Sequence, residues 1–116
     1  MRFRVERGRE TLRDLKLIHD FLFDSHVQFS DSPEEALSRA DQRLKAIGAA
    51  MRGLGKAPHQ GTRRDAMMPG LRSVTKDRAI FYFTIDEGKH VVRVLAVFFG
   101  GQDHQRAMLR RLMGED

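Results

Sequence analysis

The spacing of hydrophobic residues switches from two to three-or-four and back to two along the chain, and the switches mark its elements. Over residues 1–7, Phe3 and Val5 alternate with Arg2, Arg4 and Glu6, the period-two pattern of a short half-buried strand. Gly8 eases the turn into a helix expected over 9–27, where Leu12, Leu15, Ile18 and Leu22 recur at steps of three and four. Leu17, Phe21 and Phe23 widen that stripe beyond what one packing face requires.

Ser32-Pro33-Glu34-Glu35 carries the strongest local start signal: a capping serine, a first-turn proline and an acid three residues after the cap. The helix it opens runs through Leu37, Ala40, Leu44, Ile47, Met51 and Leu54, with Gly53 and Gly55 ending it. The short link 28–31 makes the two helices an antiparallel hairpin. Residues 56–70 hold Pro58, Pro69, Gly61 and the Arg63-Arg64-Asp65 cluster and read as a loop.

Period two returns in strands expected over 71–75, 79–85 and 90–99, an antiparallel meander with turns at 76–78 and 86–89. Phe81, Phe83 and Ile85 face one way and Ile80 and Tyr82 the other, while the last strand is apolar on both sides apart from Arg93. Both sheet faces need cover. The hairpin supplies one; a short amphipathic helix over 102–113, with Met108, Leu109 and Leu112 on one side, or a partner, supplies the other. The pattern predicts an α+β fold: N-terminal strand, antiparallel two-helix hairpin, three-stranded antiparallel meander and short C-terminal helix.

A length of 116 residues makes 1–116 a single domain, and 41% hydrophobic against 32% charged residues argues for a packed core. The absence of cysteine excludes disulfides and thiolate metal sites. No stretch has the apolar core of a signal peptide or the length of a membrane span, so the chain reads as cytoplasmic. A formal charge of +5, with a pI near 10.2, favours an acidic partner, nucleic acid and acidic protein fitting equally.

Candidate chemistry is thin. The five histidines stand at no metal-ligand spacing, no glycine pattern makes a phosphate loop, and Asp103 beside His104 reads as a helix cap rather than an acid–base pair. Arg63, Arg64, Arg72, Arg78 and Arg93 can clamp phosphate or pair with Asp65, Asp77 and Asp86. Phe81, Tyr82, Phe83, Phe98 and Phe99 suit a packed interior better than a base-stacking platform.

The stretch from Pro69 to Gln102 carries more. Gly70-Leu71-Arg72-Ser73, a turn ending in Arg78 and then Ile80-Phe81-Tyr82 resemble the Gly-Leu-Arg-Ser, turn, Ile-Phe-Tyr pattern of the ParE/RelE toxin superfamily. Arg93-Val94-Leu95 ahead of Gly100 to Asp103 resembles the closing strand and Gly-x-x-Asp end of that family, and the element order is similar over essentially the whole chain. The resemblance implies a type II toxin, neutralised by direct binding of an acidic ParD-like antitoxin in a tight complex, a heterotetramer or larger.

Two departures bear on mechanism. Phe83 and Phe99 stand where many relatives place arginine and histidine, and the RelE branch relies on such basic and proton-transferring groups for ribosome-dependent mRNA cleavage. The resemblance therefore implies the ParE branch, which poisons DNA gyrase by protein–protein contact and needs no catalytic residue, metal or cofactor. DNA is then met only indirectly, through the antitoxin. The expected antitoxin-binding residues are Leu12, Leu15, Phe21, Tyr82, Arg93, Phe98 and Phe99; the expected target-binding residues are Arg63, Arg64, Arg72, Arg78 and His104. An mRNA interferase of RelE type and a non-toxic nucleic-acid-binding module are the alternatives.

Overall fold

The structure, a computed structural model, describes residues 2–29, 31–100 and 103–114. β1 (Arg4–Arg7) leads through Gly8 into α1 (Arg9–Gln28), α2 (Pro33–Arg52) and a 3-10 turn (Gly53–Lys56). β2 (Thr62–Arg63), β3 (Arg72–Lys76), β4 (Ala79–Asp86), β5 (Val91–Phe99) and α3 (His104–Leu112) complete the order. Met1 of the expected first strand, Ser30 of the interhelical link and Gln102 of the expected last helix lie outside the described residues.

The cap of α2 forms as its residue types dictate. The Glu35 N–H donates to Ser32 Oγ at 3.2 Å, the hydroxyl donates to Glu35 Oε1 at 3.0 Å, and Pro33 occupies the first turn. One amide that the helix leaves without a backbone partner is thereby satisfied.

The sheet order is β1-β5-β4-β3-β2. The meander is antiparallel as its turns require, whereas β1, separated from β5 along the chain by the two helices and by β2, β3 and β4, runs parallel to it. β2, a two-residue strand paired with β3, lies inside the stretch expected to be loop. Thr62 and Arg63 are exposed and too few to leave a periodic signal. The β3–β4 turn places Asp77 and Arg78 at φ of 52° and 64°, the left-handed pair that a two-residue hairpin between Lys76 and Ala79 demands.

A bulge decides which face each end of β5 serves. Tyr82 pairs with Ala96 but Phe83 pairs with Val94, so Leu95 is an extra residue and the alternation reverses there. Val92 and Val94 before it, and Val97 and Phe99 after it, all reach the helix side; Ala96 and Phe98 reach the other. On the helix side Ile18, Leu22, Ile47 and Met51 pack on Phe81, Phe83 and Val94. On the opposite side Leu71, Ile80, Tyr82 and Phe98 pack with Met108 of α3, aided by Met67 and Met68 from the loop. Both faces are covered from within the chain.

β1 ends beside Val94, leaving the outer edge of β5 beyond it for side chains to satisfy. Thr11 Oγ1 donates to the Val94 carbonyl at 3.1 Å, the Val97 N–H donates to Asp14 Oδ2 at 3.0 Å, and Arg111 Nη1 donates to the Leu95 carbonyl at 3.3 Å. Arg111 also grips Asp14 at two points, Nη1 to Oδ2 at 2.7 Å and Nη2 to Oδ1 at 2.8 Å. This ion pair pins α3 to α1 across the edge. Among the described residues no helix is long and apolar enough to cross a membrane.

Candidate functional site

Two surfaces carry groups that the fold itself does not consume. The first lies where α1 passes the end of β5. Helical geometry turns Ile18 and Leu22 inward, so Leu17 and Phe21, each 58% exposed, project outward one turn apart. Phe21 meets the Phe99 ring with centroids 6.3 Å apart, and together they line two clefts. One, of about 540 Å³, opens toward α3 between Leu17, Ala107 and Arg111; the other, of about 640 Å³, opens toward α2 beside His26, Arg39 and Arg43. The guanidinium carbons of Arg43 and Arg78 sit 5.9 Å and 5.5 Å from the centre of the Phe99 ring. Arg43 further donates to the Asp77 carbonyl at 3.1 Å, bracing the β3–β4 turn.

The second surface is polar and lies at the margin of the core under α3. Ser73 and Tyr82 are cross-strand partners on β3 and β4, so their side chains stand side by side on one face. Tyr82 Oη and His104 Nδ1 are hydrogen-bonded at 2.8 Å, and Arg64 Nε donates to Ser73 Oγ at 2.9 Å. Burial pushes the Tyr82 phenol above its ordinary value of 10.0; the positive charge of Arg64 opposes the shift and the carboxylate of Asp103 reinforces it. Arg64 and His104, both half-buried, are the groups of this cluster that can reach an anion, whereas the neutral Tyr82 phenol is fully buried and holds the imidazole from beneath.

Asp65 organises the loop that delivers Arg64. Its Oδ1 accepts the Gly70 N–H at 2.9 Å, and its carboxylate takes Arg63 at 2.9 Å. The Gly70 amide first, and then Arg63, hold the Asp65 carboxyl below the usual 3.8. Asp103 caps α3 by accepting from the Arg106 N–H at 3.2 Å. Among the described residues no group of three or more His, Asp or Glu is placed to hold a metal ion; His19–Asp41, His26–Asp31 and His59–Glu87 are pairs.

The structure redistributes the residues singled out from sequence. Leu15 and Tyr82, expected to meet an antitoxin, are interior: Leu15 belongs to the core under the hairpin and Tyr82 is fully buried beneath α3. Phe98 and Phe99 are mostly buried and offer a partner only the parts that line the clefts. Leu12 is exposed but lines neither cleft, and Arg93 pairs with Glu6 at the far end of β5. Phe21 alone of the set is both exposed and at the groove.

The target-binding set divides in two. Arg63 takes Asp65, Arg64 takes Ser73, and Arg72 donates to the His59 and Gln60 carbonyls, so these three buttress one loop. Arg78 lies on Phe99 at the other surface. Of the expected pairings with Asp65, Asp77 and Asp86, only that of Arg63 with Asp65 forms among the described residues. Sequence reading missed Asp14, Arg43 and Arg111, and quoted Ser73 only as part of the Gly-Leu-Arg-Ser resemblance without a role at the site. Asp14 left a signal, a carboxylate inside an apolar stripe; the others sit among ordinary polar positions.

Solved structures share this fold. A chain of the chromosomal ParDE toxin–antitoxin system of Pseudomonas aeruginosa is 18% identical, with a TM-score of 0.59 over 84% of this chain and 95% of that one. A chain of the RelBE2 toxin–antitoxin complex of Mycobacterium tuberculosis is 18% identical, with a TM-score of 0.55 over 86% and 100%. A mutant of the Escherichia coli toxin RelE in its free state is 9% identical, with a TM-score of 0.60 over 97% and 99%. No protein-family model and no curated protein matches the sequence. The chain has the ParE/RelE toxin fold, over nearly its whole length and nearly the whole of theirs.

Proposed function

We propose that the chain is the toxin of a type II toxin–antitoxin pair, arresting growth by binding and poisoning DNA gyrase and neutralised by direct contact with an acidic ParD-like antitoxin. The observation that carries the toxin reading is the likeness of fold, over 84% and 86% of this chain, to chains of the ParDE and RelBE systems. Gyrase is preferred because Phe83 and Phe99 are packed into the core beneath the hairpin, where they serve neither proton transfer nor phosphate binding. Protein contact requires neither.

Ribosome-dependent mRNA cleavage is the second reading, and a specific observation favours it: the Tyr82–His104 pair with Arg64 close by. One experiment separates the two. Purified chain is added to a gyrase supercoiling reaction and, separately, to ribosomes programmed with mRNA. The gyrase reading predicts loss of supercoiling with mRNA intact. Cleavage of the mRNA without an effect on gyrase overturns it, and loss of that cleavage in His104→Ala assigns the second surface. Expression without growth arrest, and without either effect, removes the toxin reading altogether.

A further inference from the structure

One face of α2 carries its charges in two blocks. Glu34 and Asp41 stand on the N-terminal half, Lys45 and Arg52 on the C-terminal half, at steps of seven, four and seven residues that bring all four to the same side. All four are exposed. The arrangement is symmetric about Arg43: Asp41 and Lys45 lie two positions either side of it, Glu34 and Arg52 nine. Arg43 itself turns away and donates to the Asp77 carbonyl. We propose that this face pairs with the same face of a second copy of the chain, the two α2 helices running antiparallel about a twofold axis level with Arg43.

At that register Glu34 of each copy meets Arg52 of the other, Asp41 meets Lys45, and the twofold makes each contact twice. A parallel copy would set like charges together. Ser38 and Gly48, five positions either side of Arg43, come level with one another, and their small side chains let the helices approach closely. The charges are at the disposal of a partner. Among the described residues Glu34, Lys45 and Arg52 make no ion pair, and Asp41, which holds His19 at 2.7 Å, keeps its side chain 61% exposed. Beside them a cleft of about 910 Å³, lined also by Leu15, Leu44 and the half-exposed Leu37, gives a neighbouring helix an apolar seat. A uniformly acidic segment, or nucleic acid, would be repelled by Glu34 and Asp41. The surface that fits must carry the reversed pattern, and the chain carries it itself. This pairing goes beyond the toxin reading and does not need it, and it leaves the face of the sheet under α3 open.

Sedimentation equilibrium of the full chain at low salt, from micromolar to millimolar concentration, tests the pairing. The expected result is a reversible dimer. Glu34→Arg sets arginine against Arg52 at both twofold-related contacts, and Arg52→Glu sets glutamate against Glu34; each should weaken self-association at least about tenfold. Mixed in equal amounts, the two variants restore opposite charges at both contacts and should form a heterodimer within about threefold of the parent affinity. Each change reverses a charge at a helix end and should lower the melting temperature by only a few degrees. Mixing would not repair a fold defect, so recovery of association on mixing identifies the interface. A parent that stays monomeric throughout, a parent dimer that either variant leaves intact, or variants that fail to recombine overturns the proposal.

Discussion

Asp14 interrupts the apolar stripe of α1 and becomes one of its most buried side chains, because three donors converge on it: the Val97 amide and two nitrogens of Arg111. Removing either charge strands the other in the interior. Asp14→Ala and Arg111→Met should each lower the unfolding free energy by about 3–5 kcal/mol in urea titrations, and the double variant should lose much less than their sum. Additive losses would show that the pair does not act as a unit. Two titrations follow from the sites. Asp65 should titrate below 3.8 by carboxyl NMR; its depressed value contributes stability above 3.8 that is lost as pH falls through the lower folded value. The Tyr82 phenol should ionise above 10.0, contributing stability that is complete below 10.0 and lost as pH rises through the raised value, followed by ultraviolet absorbance. At this scale the sequence marks Asp14 as anomalous, but its partner Arg111 is 97 positions away and looks like any surface arginine.

Elements with a periodic pattern or a cap were readable: both helices of the hairpin, the three strands of the meander and α3 stand where spacing places them, within a residue or two at their ends. Ser32→Ala should remove the cap of α2 and lower stability by about 1 kcal/mol, read from chemical denaturation. Other features have no local signature. β2 is held by two register pairs with β3, and the bulge at Leu95 appears only when β4 and β5 are laid side by side. The join of β1 to the end of the hairpin is another such contact. The Phe3 N–H donates to the Gly55 carbonyl at 2.8 Å, and a Cβ on Gly55 would overlap the Phe3 carbonyl oxygen. Gly55→Ala should therefore loosen β1, raising hydrogen exchange at its amides before the rest of the sheet and lowering the melting temperature.

For the whole molecule, a charge of +5 is expressed as arginines gathered around particular surfaces rather than as a uniform field. Association with the acidic antitoxin proposed as partner should slow by about tenfold as the Debye length shrinks from about 10 Å at 0.1 M salt to about 3 Å at 1 M, with the dissociation rate changing less. A salt-independent association rate would mean that the arginines do not steer. Hydrophobic spacing, the Ser32-Pro33 start and the turn residues determined the element order and the α+β class from the sequence alone, since propensity and amphipathicity act over a few residues. Tertiary structure decided the rest: the parallel pairing of β1 with β5, the reversal of faces at Leu95, and the division of arginines between two surfaces. It also turned Leu15 inward while leaving Phe21 outside, and joined Tyr82 to His104. Those outcomes depend on contacts such as Thr11 with Val94, 83 residues apart, and no local preference encodes where the chain will meet itself.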